Sequence, residues 1–132
     1  MALESYDDAV NSLEYALGMT PAENATRAKI LNNLGAVHYQ RGDLTLALES
    51  FTSALEIQRQ WLEGPVRREP IVYDASVSLT NMGKVYNDKN DYELAFYVLE
   101  EACLVRFFCS CVLLALYGLT IHTVFLTHAA LP

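Results

Sequence analysis

Residues 31–57 read LNNLGAVHYQRGDLTLALESFTSALEI, and residues 79–105 read LTNMGKVYNDKNDYELAFYVLEEACLV. Laid with Leu34-Gly35 over Met82-Gly83, the two stretches share one register. Ala47 and Ala95 each lie 12 residues after their glycine; Phe51 and Leu99 lie 16 after, and Ala54 and Ala102 lie 19 after. Gly42-Asp43 stands opposite Asn90-Asp91, and Tyr39 and Tyr86 place a ring shortly before that break. Five matching classes in one register identify an internal repeat.

Each copy reads as a helical hairpin. Ala28, Leu31, Leu34 and Val37-His38 recur at helical spacing, which predicts a first helix (helix A). Gly42-Asp43 then breaks it, the glycine as a helix stop and the aspartate as a cap for the next helix. Leu44, Ala47, Leu48, Phe51, Ala54 and Leu55 form the apolar stripe of a second helix (helix B). The second copy repeats this with Val77, Leu79, Met82, Val85 and Tyr86, then Tyr92, Ala95, Phe96, Leu99 and Ala102. Gly35 and Ala47 are small, so close approach of the two helix backbones is expected there.

This pattern resembles the tetratricopeptide repeat, over roughly residues 28–61 and 76–106. The shared features are a small residue and a Tyr in helix A, then Ala, a bulky residue and Ala in helix B. Leu31 and Leu79 stand where that family usually has Trp, and His38 stands where the first copy would have Tyr. The glycines are 48 residues apart, against a usual period of about 34. The excess falls between Gln58 and Ala75. Ile57, Trp61 and Leu62 suggest that helix B runs on until Glu63-Gly64-Pro65 stops it, and Pro70 can open the next helix. That long-repeat style is similar to the subgroup containing kinesin light chains.

A partial unit precedes the two full ones. Tyr6-Asp7-Asp8-Ala9, Leu13 and Ala16, followed by Pro21, match a helix B alone. The expected organisation is a partial repeat at 1–20, a hairpin at 21–62, a loop at 63–70, a second hairpin at 71–106 and an uncharged tail at 107–132. The fold class that the resemblance implies is all-α: antiparallel helical hairpins stacked as a short right-handed solenoid, plus an apolar C-terminal helix.

Stacked hairpins curve, with helix A residues lining the inner face. In the resembled family's long-repeat members, asparagines at the level of Asn33 and Asn81 form a ladder that hydrogen-bonds an extended peptide. An amide suits that task because it both donates and accepts. The expected peptide-binding set is Lys29, Asn32, Asn33, Ala36 and Tyr39 in the first copy, with Asn81, Lys84 and Asn87 in the second. Gln40, Thr80 and Asp88 share the face, and Lys29 and Lys84 could meet acidic groups of a ligand. The competing assignment gives the asparagines only a packing or bridging role between neighbouring helices. The expected function is a protein-interaction scaffold whose partner is a peptide or protein. Two further assignments stay open: a tail-anchored membrane adaptor built on the same repeats, or a truncated form without independent function.

Composition narrows the remaining classes. Apolar residues make up 52% of the 132, enough to offset the entropy of ordering one domain. The formal net charge of -7 opposes the phosphate contacts that drive nucleic-acid binding, so no nucleic-acid partner is expected. No Gly-rich phosphate loop or Gly-x-Ser-x-Gly elbow occurs. Cys109 and Cys111 are spaced for no zinc site, and His38 reads as a packing residue. The chain is therefore not expected to be an enzyme or to carry a cofactor or metal. The N-terminus lacks the features of a secretory leader, and the cysteine content suits a reducing compartment; a cytoplasmic location is expected.

Every charged residue lies between Glu4 and Arg106. Phe107–Leu126 is 20 residues without charge, long enough as a helix to span roughly 30 Å, the thickness of a bilayer core. Three readings of it compete: a membrane anchor with Cys109 and Cys111 open to acylation, a helix capping the last hairpin, or sequence introduced by a splice or frame change.

Overall fold

In the computed structural model, residues 3–64 and 69–116 are described, and they form five helices. These are α1 (Leu3–Gly18), α2 (Ala25–Arg41), α3 (Leu44–Glu63), α4 (Glu69–Asp88) and α5 (Tyr92–Leu116). No strand occurs among the described residues, so the all-α expectation holds. Each helix packs against its neighbour in sequence, and α2 also touches α4. Antiparallel neighbours show in their cross-links. Arg41 meets Asp7 at 2.9 Å while Arg27 reaches Leu17 O at 2.7 Å, so α1 and α2 run in opposite senses.

Both hairpins turn by the same device. Gly42 sits in the left-handed region at φ 88°, and Asn90 at φ 61° takes the equivalent place. Gly42 N–H donates to Tyr39 O and Asp43 N–H to His38 O; Asn90 N–H donates to Asn87 O and Asp91 N–H to Tyr86 O. These are the paired bonds that satisfy the last carbonyls of a helix ending on a left-handed residue. The caps that follow differ. Asp91 accepts a bond from Leu94 N–H at 3.3 Å, but the Asp43 side chain caps nothing. Arg41 holds its carboxylate at 3.2 Å instead, which overturns the capping role expected for Asp43. α2 has a cap the repeat pattern did not single out, Asn24, whose side chain accepts from Thr26 N–H at 2.8 Å.

Gly35 is needed for a different contact from the one anticipated. A Cβ built there would stand 2.6 Å from the Phe51 ring, so the glycine makes room for that ring rather than for a helix backbone. Gly83 does the same for Leu99, with a built Cβ 2.7 Å away. The main core gathers Ala47, Phe51 and Leu55 of α3, Ala75, Leu79, Met82 and Val85 of α4, and Val98 and Ala102 of α5. A smaller cluster of Ala28, Leu31 and Ala54, with Leu17 and Ile57 against it, seats α1 on the first hairpin.

α3 does run past the helix B of a short repeat, to Glu63, and Gly64 leaves it in extended backbone as a residue before proline favours. The added turns are tied down at two points. Trp61 Nε1 donates to Glu23 O at 3.1 Å, and the buried Gln58 amide oxygen accepts from Ser78 at 2.9 Å. The C-terminal part of the chain departs from the expected boundary. α5 crosses Arg106 without a break and continues to Leu116, so residues 107–116 prolong helix B of the second hairpin. Among the described residues no helix is long and apolar enough to cross a membrane; residues 117–126 of the anchor segment lie outside them.

Candidate peptide-binding face

α2 and α4 lie side by side and run parallel, because two cross-links ascend them together. Lys29 Nζ lies 3.8 Å from Asp74 Oδ2 near the start of each helix. Tyr39 donates its hydroxyl to Asp88 Oδ2 at 2.6 Å near the end. The carboxylate beside it, first by the hydrogen bond, then with desolvation and by its charge, raises the Tyr39 pKa above the ordinary phenol value. The repeat pattern set Lys29, Tyr39 and Asp88 on a ligand-facing surface and did not single out Asp74. The structure spends part of each on holding the two A helices together, though the Lys29 side chain stays largely exposed.

Helical phase sorts the other residues between these links. At about 100° per residue, Asn32 shares the flank of α2 that carries Tyr39, and so turns toward α4. Asn81 shares the flank of α4 that carries Asp74 and Asp88, and so turns toward α2. Asn32 and Asn81 are both half-buried. Asn33 is exposed on the other flank of α2, with the half-buried Ala36 between. Lys84 and Asn87 are exposed on α4. The equivalent positions Asn33 and Asn81 thus differ in surroundings: one faces the open side of α2, the other the α2–α4 seam.

One atom in this seam lacks a partner. Asn32 Oδ1 is buried and accepts no hydrogen bond from the described residues. An unpaired buried acceptor costs about 1–3 kcal/mol, which the half-buried Asn32 side chain regains on turning outward to accept an incoming N–H. Buried His38 Nδ1 is in the same condition, on the side of α2 that packs into the hairpin. His38 was expected to be a packing residue, and it is buried. Among the described residues no group of His, Cys, Asp and Glu could hold a metal ion. Cys103 is an exposed free thiol; the side chains of Cys109 and Cys111 lie outside the described residues.

Residues 28–60 match the family described as Tetratricopeptide repeat, which covers α2 from Ala28 and most of α3. No curated protein matches the chain. Repeats of this family are non-catalytic and mediate protein–protein interaction. The α2–α3 hairpin thus matches the tetratricopeptide repeat, a repeat that generally mediates protein–protein interaction, over residues 28–60.

Proposed function

We propose that the chain is an interaction scaffold that binds an extended peptide segment along the face shared by α2 and α4. The observation that carries this reading is the unsatisfied, buried Asn32 Oδ1 in a seam that also holds Asn81. A peptide backbone running along the seam offers N–H groups to Asn32 and both donor and acceptor groups to Asn81. Lys84, exposed and without an ion-pair partner among the described residues, adds a positive charge beside the path. Asn33, Ala36 and Asn87 border it. The long α3 and the early start of α4 support the kinesin-light-chain-like, long-repeat style of this face.

The test is a display library of random peptides selected on the full-length chain. Selected peptides should bind Asn32→Ala/Asn81→Ala at least about tenfold more weakly, the worth of roughly one buried amide hydrogen bond. Undiminished binding by a double variant that keeps its helicity would overturn the reading.

A further inference from the structure

The two hairpins repeat with an offset of 48, so each α5 residue has a counterpart on α3. The counterparts differ sharply in exposure. Phe51 is 2% exposed and its counterpart Leu99 is 40% exposed. Leu48 is half-buried against the main core, whereas Phe96 is 71% exposed. Leu44 is likewise packed, whereas Tyr92 is 63% exposed. Buried Leu55 corresponds to exposed Cys103. The difference has one cause. α3 is covered by α4 on this face, and α5 has no described helix in that place. Tyr92, Phe96, Leu99, Cys103 and Phe107 fall on one stripe at helical spacing.

Charge says what kind of helix fits there. At the first junction Asp7, near the start of α1, pairs with Arg41 in the last turn of α2. By the repeat register Asp7 corresponds to Thr45 of α3 and Glu93 of α5, and Arg41 corresponds to Lys89. At the second junction Thr45 and Lys89 line the same surface depression. At each existing junction, then, a basic residue ending the covering helix lies beside this position. On α5 the position is acidic again, and Glu93 has no ion-pair partner among the described residues. Glu100 lies on the same flank one helical repeat later.

We propose that the α5 face receives an amphipathic helix of a partner protein, antiparallel to α5, with a Lys or Arg in its last turn against Glu93. Residues 107–132 contain no charged residue and supply no such base. In a second copy, Arg41 is already held by Asp7 and Asp43, and α4 is enclosed between α3 and α5. A two-fold pairing of two α5 helices in antiparallel sense brings the flank with Glu93 and Glu100 against itself, which is repulsive. The stripe and its acidic flank therefore suit a foreign helix. This surface lies on a B helix, apart from the α2–α4 face, so its failure and that of the peptide reading are separately visible.

The experiment uses the full-length chain and a fluorescent synthetic peptide with the sequence of residues 69–90, stapled on its solvent side to hold the helix. This probe carries the apolar stripe that covers α3, and Lys89. Fluorescence anisotropy should show saturable binding with Kd at or below about 1 mM. Phe96→Glu should weaken it by roughly tenfold or more, the loss of one large apolar contact. Glu93→Lys should weaken it by about threefold, and a peptide with Lys89→Glu should recover that loss on the Glu93→Lys chain only, as an exposed ion pair requires. Phe96 is exposed, and circular dichroism of the variant checks that the fold is kept; Phe96→Ser gives a second reading. Absence of saturable binding, or binding indifferent to Phe96 and Glu93, overturns the proposal. So does sedimentation of the chain as a dimer that Phe96→Glu dissociates, which gives the face to a second copy. A rise in peptide affinity of about tenfold on deletion of 117–132 also overturns it, by giving the face to the tail.

Discussion

Gly35 and Phe51 show how a single missing side chain is used. The glycine makes space on α2, and the ring of α3 occupies it, buried. An alanine methyl at 35 has to push the ring, which borders Leu55 and the α4 core residues. Gly35→Ala should therefore destabilise the chain by about 1–3 kcal/mol despite the better helix propensity of alanine, as overpacking does. Urea unfolding measures this. Phe51→Leu, itself destabilising, should recover part of the Gly35→Ala loss in the double variant, because the smaller side chain concedes the space. Strict additivity would show that the contact is not what fixes the glycine. Leu99 already plays the smaller part opposite Gly83, so Gly83→Ala should cost less.

At the scale of the element, the two hairpin turns offer an internal comparison. Gly42 and Asn90 both adopt positive φ, which glycine tolerates and other residues resist by about 1–2 kcal/mol. Asn90→Gly should raise stability by a few tenths of a kcal/mol, and Gly42→Ala should lower it by about 1 kcal/mol. The caps diverge in the same way. Asp91→Ala removes a bond to Leu94 N–H and should cost about 1 kcal/mol, whereas Asp43→Ala removes only a half-exposed link to Arg41 and should cost less. Thermal unfolding of the four variants tests both orderings.

These elements also show what could be read from the sequence. The hairpins, their turn and the run-on of α3 follow from apolar spacing and from Gly, Asn and Pro, which act locally. The carboxylate of Asp43 could not be assigned that way, since Arg41 and the backbone compete for it and only folded geometry decides. The same holds at the candidate face. Lys29, Asn32 and Tyr39 were placed on the correct helix, but which flank meets α4 depends on how α2 and α4 pack. Asp74 lay outside the expected set because it belongs to the early turns of α4, which exceed the short-repeat register. The change of charge after Arg106 suggested an element boundary, yet a helix needs no charge to continue, and α5 runs through it.

Across the whole molecule, one core spans both hairpins. Phe51, Leu55, Leu79, Met82, Val98 and Ala102 belong to the same cluster, so neither hairpin can lose its packing alone. Phe51→Ala should cost about 3–5 kcal/mol, a large share of the stability of a domain this size. Its effect should be shared: hydrogen exchange should quicken in α4 as well as in α2 and α3. Acceleration confined to the first hairpin would show two independent units. α1 is held by the smaller cluster and by Arg27 and Arg41, and should exchange faster than either hairpin throughout.

The buried bond from Ser78 to Gln58 has a further consequence for how the hairpins meet. Apolar stripes on α3 and α4 would tolerate a slide of one helical turn, about 5.4 Å, since leucines recur along α3 and valines along α4. The amide and the hydroxyl would not. Displaced, the Gln58 amide oxygen would be sealed among apolar side chains with nothing to accept from, at about 1–3 kcal/mol, while Ser78 would keep only its bond to Asp74 O within α4. The pair acts as a vernier: it adds little to how strongly the units adhere, and it selects the one alignment in which they do.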